Sequence, residues 1–345
     1  MTLRVGSIVY ATDQGLGILA KSFYDHSIIT DVVVVDRAEV KSRPTHFDWF
    51  PGADVASSND GRIHNLISHK GRRLVEQVDA MLFLETPFDW TLIDYCREKG
   101  VKTVLMPMHE CMPERLPAIP DAFLCPSKLD YEWAIKQRPY VDCYQLPVPV
   151  EVPWRQRTRA EVFVHNAGHG GLKGRNGTGE LLEALQYVQS PISFVLRTQS
   201  DVKSVPITPD YIDFSWIEGT ASYGRLFTDG DVFVFPEGFN GLSLVLQEAR
   251  ASGMLVMCGN RFPMNTWLPT EPLIPVSSYR EERIGPPYIQ YDRACFDPKV
   301  IAKTIDDWYG RDISDFSSSG REWAENNSWF VLGPKYSEVL HDLLT

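Results

Sequence analysis

The stretch from Asp231 to Cys258 constrains the fold of this chain more than any other. It reads DVFVFPEGFNGLSLVLQEARASGMLVMC, with an apolar run of four residues near each end and a glycine-bearing loop and a helical segment between them. Apolar runs on either side of a helix are typical of two buried parallel strands joined by a crossover. The sequence therefore predicts a strand over 232–235, a helix over about 243–252 and a strand over 255–258.

The loop of this stretch, from Glu237 to Ser243, follows a strand and opens a helix. Backbone N–H groups and the positive end of the helix dipole point outward at such a position, which favours anion binding. Glu248 lies within the predicted helix, between the apolar residues Leu246 and Ala249. A carboxylate there needs solvent or a partner, and two ribose hydroxyls would satisfy it.

Strand-like and helix-like segments alternate along almost the whole chain, which predicts an α/β fold with doubly wound parallel sheets. At 345 residues the chain exceeds one ordinary core, so we expect two Rossmann-like domains. The segment 147–159, rich in proline and arginine, reads as the linker between them. We expect a long loop over 41–62 and a C-terminal helix interrupted near Gly333 and Pro334.

Composition excludes several classes of protein. The net charge of −11 and the pI near 5.2 argue against broad contacts with nucleic acid or anionic membranes. No apolar run approaches the roughly 18 residues of a membrane span. The six cysteines are scattered without a C-x-x-C pair, so we expect reduced thiols, a cytoplasmic protein and no metal site.

The first glycine loop suggests one alternative function. Gly15, Gly17 and Ala20 match G-x-G-x-x-A, and Asp36 ends the next predicted strand, where a dinucleotide site has its ribose-binding acid. An NAD-dependent oxidoreductase is therefore an alternative. The dinucleotide turn normally lies tight against its strand, whereas four residues separate strand and glycine here.

Two other positions are candidates for ligand contact. The loop GHGGLKGRNG, over 168–177, lies between a predicted strand and helix, and its glycines, Lys173 and Arg175 suit a phosphate group. It lacks the G-K-[ST] of a P-loop. His109 follows a predicted strand at the carboxyl edge of the first sheet, where open α/β sheets carry function.

Taken together, these motifs resemble the GT-B glycosyltransferases of the family 4 type. The resemblance lies in the restarting second half, the Lys173-Gly174 loop and the segment FPEGFNGLSLVLQEARASGMLVM. Ser328-Trp329 and the helix to Leu344 are similar to the family's last helix, which crosses back to the first domain. The resemblance implies an acceptor domain over 1–150, a donor domain over 151–320 facing it across a cleft, and a crossing helix over 321–345.

The resemblance implies transfer of a sugar from a UDP- or GDP-sugar to an acceptor hydroxyl, with retained anomeric configuration and no metal or other cofactor. It implies that the catalytic residues are His109, Lys173, Glu237 and Asn240. It implies that the donor is bound by Gly17, Gly170, Lys173, Arg175, Arg197, Gly241, Leu242, Ser243 and Glu248.

The chain departs from the family pattern at two points. The family has two glutamates eight positions apart, but Asn240 stands eight before Glu248, and Glu237 stands eleven before it. Which of Asn240 and Glu237 faces the sugar is open at this point. The arginine that usually precedes the loop lysine is missing, and either Arg175 or Arg197 is a substitute. A catalytically weakened, glycosyltransferase-like binding protein is therefore a second alternative.

The sequence does not identify the acceptor. The loop over 42–61 carries His46, Phe47, Trp49 and Phe50, whose rings suit stacking on a sugar or a base but equally suit buried packing. The acidic composition favours a glycan or small-molecule acceptor, with a modified nucleic-acid base as an alternative.

Overall fold

The computed structural model describes residues 3–37, 44–168, 175–199, 206–219, 226–284 and 289–344. The chain forms two compact units. The first contains Met1–Pro149 and Trp329–Thr345, and the second contains Val150–Ile284 and Gln290–Ser328. Each unit has a main sheet of parallel strands connected by helices, so the predicted α/β class with two Rossmann-like units is confirmed.

The first unit contains a seven-stranded sheet. Its strands are β1 (Val5–Tyr10), β2 (Asp31–Asp36), β3 (Asp54–Ser57), β4 (Ala80–Glu85), β5 (Lys102–Pro107), β6 (Ala122–Cys125) and β7 (Asp142–Gln145). Its helices are α1 (Gly15–Asp25), α2 (Ile63–Val75), α3 (Thr91–Lys99), α4 (Lys128–Gln137) and α9 (Trp329–Asp342). The strand order is β3-β2-β1-β4-β5-β6-β7, and the paired strands are parallel.

The inner strands of this sheet are buried because their sequences are almost continuously apolar. β2 reads DVVVVD, and its four valines are all buried. In β4, AMLFLE, every residue but Glu85 is buried. Burial of apolar surface, at about 25 cal/mol per Å², is the main stabilising contribution to such a sheet.

Strand β3 lies within the segment 41–62, which the sequence predicted to be a loop throughout. That prediction was wrong over Asp54–Ser57, which pair in parallel with β2 from Val33 to Asp36. Only two of the four residues of β3 are apolar, so the segment shows no clear strand periodicity. An edge strand of this length depends on its neighbour for hydrogen bonds.

The C-terminal helix α9 runs without a break through Pro334, so the predicted interruption near Gly333 and Pro334 was wrong. A proline inside a helix costs about 3 kcal/mol. Tertiary packing offsets that cost, because Trp329 and Tyr336 both make edge contacts with the buried ring of Phe23. The hydroxyl of Tyr336 also donates a hydrogen bond to the carbonyl of Pro147, at 3.0 Å.

The second unit contains a five-stranded parallel sheet. Its strands are β8 (Val162–Gly168), β9 (Ser193–Thr198), β10 (Asp213–Glu218), β11 (Val232–Phe235) and β12 (Leu255–Cys258). Its helices are α5 (Thr178–Ala184), α6 (Leu244–Ala251), α7 (Pro298–Trp308) and α8 (Ser314–Asn326). The strand order is β10-β9-β8-β11-β12, and the crossover predicted over 232–258 is confirmed by the parallel pairing of β11 with β12.

A separate two-stranded sheet, β13 (Ser278–Ile284) and β14 (Ile289–Cys295), belongs to the same part of the chain and was not predicted from the sequence. None of the helices in the described ranges is long and apolar enough to cross a membrane.

Both main sheets have the same kind of topological switch point. Counted from the first strand of each unit, the order is 3-2-1-4-5, so the chain leaves the centre in one direction and returns to extend the sheet in the other. The switch lies between β1 and β4 in the first unit and between β8 and β11 in the second. Ligands of open α/β sheets bind outside the carboxyl ends of the strands at this point.

Candidate functional site

The structure brings together the two loops at the switch point of the second unit. The amide of Gly238, in the loop after β11, donates to the carbonyl of Arg175, in the loop after β8, at 2.7 Å. Gly177 has φ of 70°, and a Cβ there would lie 2.0 Å from the carbonyl oxygen of Pro236. Glycine is therefore required at this contact, both for its backbone conformation and for the close approach.

Glu237 lies inside this loop contact and is fully buried. Its carboxylate is 2.9 Å from Nη2 of Arg261, and both side chains are almost inaccessible to solvent. Arg261 also donates from Nε to the carbonyl of Glu237, at 2.9 Å, and from Nη1 to the carbonyl of Asn240, at 3.2 Å. Burial raises the pKa of Glu237, and the charge of Arg261 opposes that rise.

Arg261 is a residue that the sequence analysis missed. It follows β12 by three positions, at the same edge of the sheet, and holds the loop from Glu237 to Asn240 through three hydrogen bonds. A signal was present in principle, because a carboxylate in an apolar, glycine-bearing turn requires a cation when it is buried.

Asn240 and Glu237, the two candidates for the sugar-facing position, are hydrogen-bonded to each other. Nδ2 of Asn240 donates to Oε2 of Glu237, at 3.2 Å, and Oδ1 of Asn240 accepts the amide of Ser243, at 2.9 Å. Asn240 is partly exposed, whereas Glu237 has no exposed surface. In this geometry Glu237 supports the loop from inside, and Asn240 is the member of the pair that reaches the surface.

The remaining predicted residues of this loop lie at the start of α6. Gly241, Leu242 and Ser243 are buried, and the Ser243 amide, which the family resemblance assigned to the donor, is already held by Asn240. Ser243 adopts a left-handed backbone with φ of 44°, a strain of about 1–3 kcal/mol for a residue other than glycine. Glu248 is 5% exposed on the second turn of the helix.

His165, in β8, connects strand β11 with the start of helix α5. It is fully buried in β8; its Nδ1 lies 2.8 Å from the carbonyl of Val234, and its Nε2 lies 2.8 Å from the hydroxyl of Thr178. The carbonyl only accepts, so Nδ1 carries the proton and Nε2 accepts from Thr178. Burial lowers the pKa of His165 to about 4, so the ring is neutral at physiological pH.

One predicted donor contact, Arg197, is engaged elsewhere in the second unit. Arg197 is 7% exposed, and its guanidinium donates to the carbonyl of Leu226 at 2.5 Å and to Asp229 at 3.2 Å. Its charge is therefore engaged within the fold. Gly170 and Lys173 lie outside the described residues.

At the switch point of the first unit, the glycine loop differs from a dinucleotide turn. A Cβ on Gly17 would lie 2.2 Å from the carbonyl oxygen of Thr12, whereas one on Gly15 would meet nothing within 4 Å. Asp36 is 8% exposed, and its two oxygens accept hydrogen bonds from Thr45, at 2.7 Å, and Ser57, at 2.8 Å. The acid on which the NAD alternative depends is thus occupied by the protein itself.

His109 begins a turn after β5, at the carboxyl edge of the first sheet. Its amide donates to Oδ1 of Asp130, at 2.7 Å, and Asp130 also accepts from the hydroxyl of Ser127, which caps α4. Burial lowers the pKa of His109. Burial, together with the charge of Glu110, raises the pKa of Asp130 to about 7.

The left-handed backbone of Glu85, with φ of 65°, is a second strained position and ends β4 at the switch point of the first unit. Of the three residues other than glycine with positive φ in the described ranges, two therefore lie at the two switch points. Such strain is maintained only where the surroundings determine it, and it concentrates at functional sites. Within the same ranges, no group of three or more His, Cys, Asp or Glu side chains is placed to hold a metal ion.

Comparison with known proteins identifies the fold but no family. No protein-family model matches the chain, and no curated protein matches its sequence. Among solved structures, Anabaena HepE in complex with UDP and glucose has a TM-score of 0.67 and 9% identity, covering 99% of this chain and 100% of that one. The chain has the GT-B glycosyltransferase fold.

Two further GT-B structures show the same likeness. Sucrose-phosphate synthase from Thermosynechococcus elongatus has a TM-score of 0.65 and 13% identity, covering 99% of each chain. The pneumococcal O-GlcNAc transferase GtfA, in complex with UDP and GlcNAc, has a TM-score of 0.54 and 13% identity, covering 79% of this chain and 59% of that one.

Proposed function

We propose that this chain is a glycosyltransferase of the family 4 type. It transfers a sugar from a UDP- or GDP-sugar to an acceptor hydroxyl, with retention of anomeric configuration and without a metal ion. The acceptor domain is 1–150 and the donor domain is 151–320. Within the predicted segment 321–345, the helix that returns to the acceptor domain is α9, because α8 ends at Asn326. A cytoplasmic location belongs to the same proposal and is supported by six cysteines that form no disulfide.

The observation that carries this proposal is the contact between the two loops at the switch point of the second unit. The Gly238–Arg175 hydrogen bond and the close approach of Gly177 to Pro236 bring the end of the glycine loop, 175–177, against the loop that precedes α6, which supports a phosphate site there. The first-turn amides of α6, such as those of Leu244 and Val245, have no acceptor within the helix and suit an anion. A nucleotide diphosphate fits this arrangement.

In the proposed donor site, Lys173 and Arg175 bind the diphosphate. The loops around it contain Gly170, Gly241, Leu242 and Ser243. Glu248 accepts the ribose hydroxyls, because a carboxylate has acceptor sites for two hydroxyls at once. The side chain of Arg197 acts indirectly, by fixing the segment around Leu226 and Asp229.

Asn240 and Glu237 have different roles in the proposed mechanism. Asn240 contacts the transferred sugar, because it is the partly exposed member of its pair with Glu237. Glu237 is a positioning residue that acts through Asn240 and Arg261. In the first unit, His109 contributes a neutral imidazole to the sugar, and Gly17 permits the close approach of its loop to the donor phosphates.

The chemistry follows from where charge develops. As the bond between the sugar and the diphosphate breaks, the leaving diphosphate gains negative charge. Lys173, Arg175 and the helix amides stabilise that charge, an effect that typically contributes several kcal/mol when the groups are fixed in advance. A phosphate oxygen of the leaving group then accepts the proton of the acceptor hydroxyl on the same face of the sugar, which gives retention.

A donor screen tests the proposal. Titration calorimetry with UDP, GDP and NAD should show binding of one nucleoside diphosphate and none of NAD. Release of that diphosphate from its sugar conjugates identifies the donor, and the anomeric proton coupling of the product reports retention. Binding of NAD without either diphosphate contradicts the proposal, as does an inverted product or activity that EDTA abolishes. Diphosphate binding without sugar transfer would support the binding-protein alternative.

The first prediction concerns the proposed donor contacts. Lys173→Ala and Glu248→Ala should each reduce kcat/KM by about tenfold to a thousandfold, since each removes a charged contact to the donor. Lys303→Ala and Glu322→Ala are matched controls, because both side chains are exposed on helices α7 and α8. Turnover like that of the wild type in Lys173→Ala and Glu248→Ala would refute the site.

A further inference from the structure

The first unit contains a second cluster of side chains at its switch point, formed where the chain that leaves β2 returns to the end of β1. The amide of His46 donates to the carbonyl of Ala11, at 2.7 Å. Nε2 of the His46 ring lies 2.6 Å from Oδ2 of Asp13. Because Asp13 belongs to the loop that follows β1, this contact fixes the imidazole at the ligand-binding edge of the sheet.

The contact with Asp13 determines which nitrogen of His46 is available. An ionised carboxylate only accepts hydrogen bonds, so in the neutral ring the proton lies on Nε2 and Nδ1 is an acceptor. No hydrogen bond to Nδ1 comes from the described part of the chain. The two side chains are 31% and 23% exposed, so the pair lies at the surface instead of within the core. Nδ1 of His46 is therefore an oriented hydrogen-bond acceptor on a side chain that solvent reaches.

Aromatic rings complete the cluster. The imidazole of His46 is stacked on the indole of Trp49, with ring centroids 4.6 Å apart and an interplanar angle of 8°. Phe47 begins the single turn of 3-10 helix that ends at Trp49, and it is 54% exposed. A phenylalanine serving only the core would be buried, as Phe50 is at 1% exposure. Phe47, the residue that follows His46 in the chain, instead offers an exposed apolar ring.

We propose that Asp13, His46, Phe47 and Trp49 form the acceptor subsite and that the acceptor is a carbohydrate. One hydroxyl of the acceptor ring donates to Nδ1 of His46, and the C–H face of the ring lies on Phe47. Trp49 fixes the plane of the imidazole, and Asp13 is a positioning residue that fixes its tautomer. This inference rests on the proposed glycosyltransferase function and names the substrate class of that same activity.

A carbohydrate suits this cluster because of the polar and apolar groups on the surface of a sugar ring. A pyranose ring has hydroxyl donors around its edge and an apolar patch of C–H groups on its face, so it needs one oriented acceptor and one exposed aromatic ring side by side. A nucleobase would instead need a flat slot between two rings, whereas the described cluster presents one exposed ring. The acidic composition of the chain, with a net charge of −11, also disfavours a polyanionic acceptor.

The test uses the full chain saturated with whichever of UDP and GDP it binds and, as probes, the methyl glycosides of glucose, galactose, mannose and N-acetylglucosamine. Saturation-transfer NMR should detect binding of at least one of them, with a dissociation constant obtained by titration. His46→Ala and Phe47→Ala should each weaken that binding about five- to tenfold, the effect of one lost hydrogen bond or one lost stacking face. His69→Ala and Tyr140→Ala are the controls, since His69 is exposed on α2 and Tyr140 is 99% exposed.

A second measurement separates orientation from folding. Asp13→Ala removes the acceptor that holds the proton on Nε2, so the neutral ring of His46 exchanges between its two tautomers and Nδ1 is an acceptor in only part of the population. The ¹⁵N shifts of His46 should report this mixture, and glycoside binding should weaken, by less than in His46→Ala, while the melting temperature stays close to that of the wild type.

The outcomes discriminate between this inference and the proposed function. Calorimetry with UDP or GDP tests the donor site alone, and its failure would overturn the glycosyltransferase proposal itself. If a nucleoside diphosphate binds but no methyl glycoside binds to the wild type, the carbohydrate subsite is overturned. It is equally overturned if glycosides bind unchanged to His46→Ala and Phe47→Ala, or if a nucleoside probe binds there instead.

Discussion

The carboxyl edges of the two sheets differ in the side-chain contacts that hold them at their switch points. In the second unit the edge is closed by buried charges: Glu237 and Arg261 are paired without solvent, and the backbones of Gly177 and Pro236 are in contact. In the first unit the corresponding edge is held by the half-exposed pair of His46 and Asp13. The same topology thus supports one edge with buried side chains and one with side chains that solvent reaches.

This difference between a buried and a partly exposed edge suits the ligands that we propose for them. A buried ion pair fixes its loop in one conformation, because any displacement would leave a charge without its partner in a medium of low dielectric. Such preorganisation suits the stabilisation of a leaving diphosphate, whose charge pattern is constant. The pair of His46 and Asp13 is partly exposed, so it presents an oriented polar group to a ligand instead of closing the edge.

The largest effect should follow from breaking the buried pair. Arg261→Met leaves the carboxyl group of Glu237 buried without its cation, so the free energy of unfolding should fall by about 3–5 kcal/mol and diphosphate binding should be lost. Urea denaturation and calorimetry measure the two effects.

A double variant provides the control for this prediction. Glu237→Leu combined with Arg261→Met should recover much of the stability, because two apolar side chains replace the pair. Diphosphate binding should stay impaired, since the loop from Glu237 to Asn240 loses its hydrogen bonds to Arg261. If Arg261→Met alone is as stable as the wild type, the second edge is not held by buried charge, and the comparison fails.

A smaller effect should distinguish the two glycines at the other edge. In Gly17→Ala the new Cβ would lie 2.2 Å from the backbone oxygen of Thr12, so we expect a loss of about 1–3 kcal/mol as α1 shifts. Gly15→Ala is the matched control, because its Cβ meets nothing within 4 Å. It should be neutral or gain up to about 1 kcal/mol through its better helix propensity. Thermal unfolding of both variants measures the contrast, and equal losses would contradict it.

The smallest effect, at acidic pH, should follow from a change at Asp130, whose carboxylate accepts the amide of His109. The pKa of Asp130 is about 7 in the folded protein, above the value of about 4 for an unperturbed aspartate, because of burial and the charge of Glu110. Between these values the folded state binds a proton that the unfolded chain has lost, so stability falls as the pH rises from about 4 to 7.

Asp130→Asn removes this titration while it keeps an acceptor for the His109 amide. The variant should lie within about 1 kcal/mol of the wild type near pH 5, since asparagine resembles the protonated acid. Its stability should then decline less steeply toward pH 7 and above. Denaturation midpoints across this pH range measure the slopes. Parallel slopes for the two proteins would show that the first edge does not contain this buried titrating group.

Much of the architecture was predictable because it depends on local patterns. The strand over Val232–Phe235 and its partner over Leu255–Cys258 are continuous apolar runs, which few other structures accommodate. The described end of the predicted loop 168–177, at 175–177, and the loop at 237–243 lie at one edge of the sheet, because the carboxyl ends of parallel strands meet there.

Other parts were not predictable because distant residues determine them. The four residues of β3 are a strand only because β2 lies beside them, and α9 continues through Pro334 only because Phe23 packs against its buried face. The sequence named Glu237, but its partner Arg261 stands 24 positions later and has no local signature.

The sequence by itself determined the alternation of elements, the two-unit α/β class and the loops that suit phosphate, since these follow from the spacing of apolar residues and glycines. The tertiary structure decided which carboxylate is buried, which side chain faces outward and which nitrogen of a histidine is available. Asn240 reaches the surface because Arg261 holds Glu237 inside, and His46 presents Nδ1 because Asp13 binds Nε2. These are contacts between residues far apart in the chain, and only folding brings their charges close enough to select one geometry.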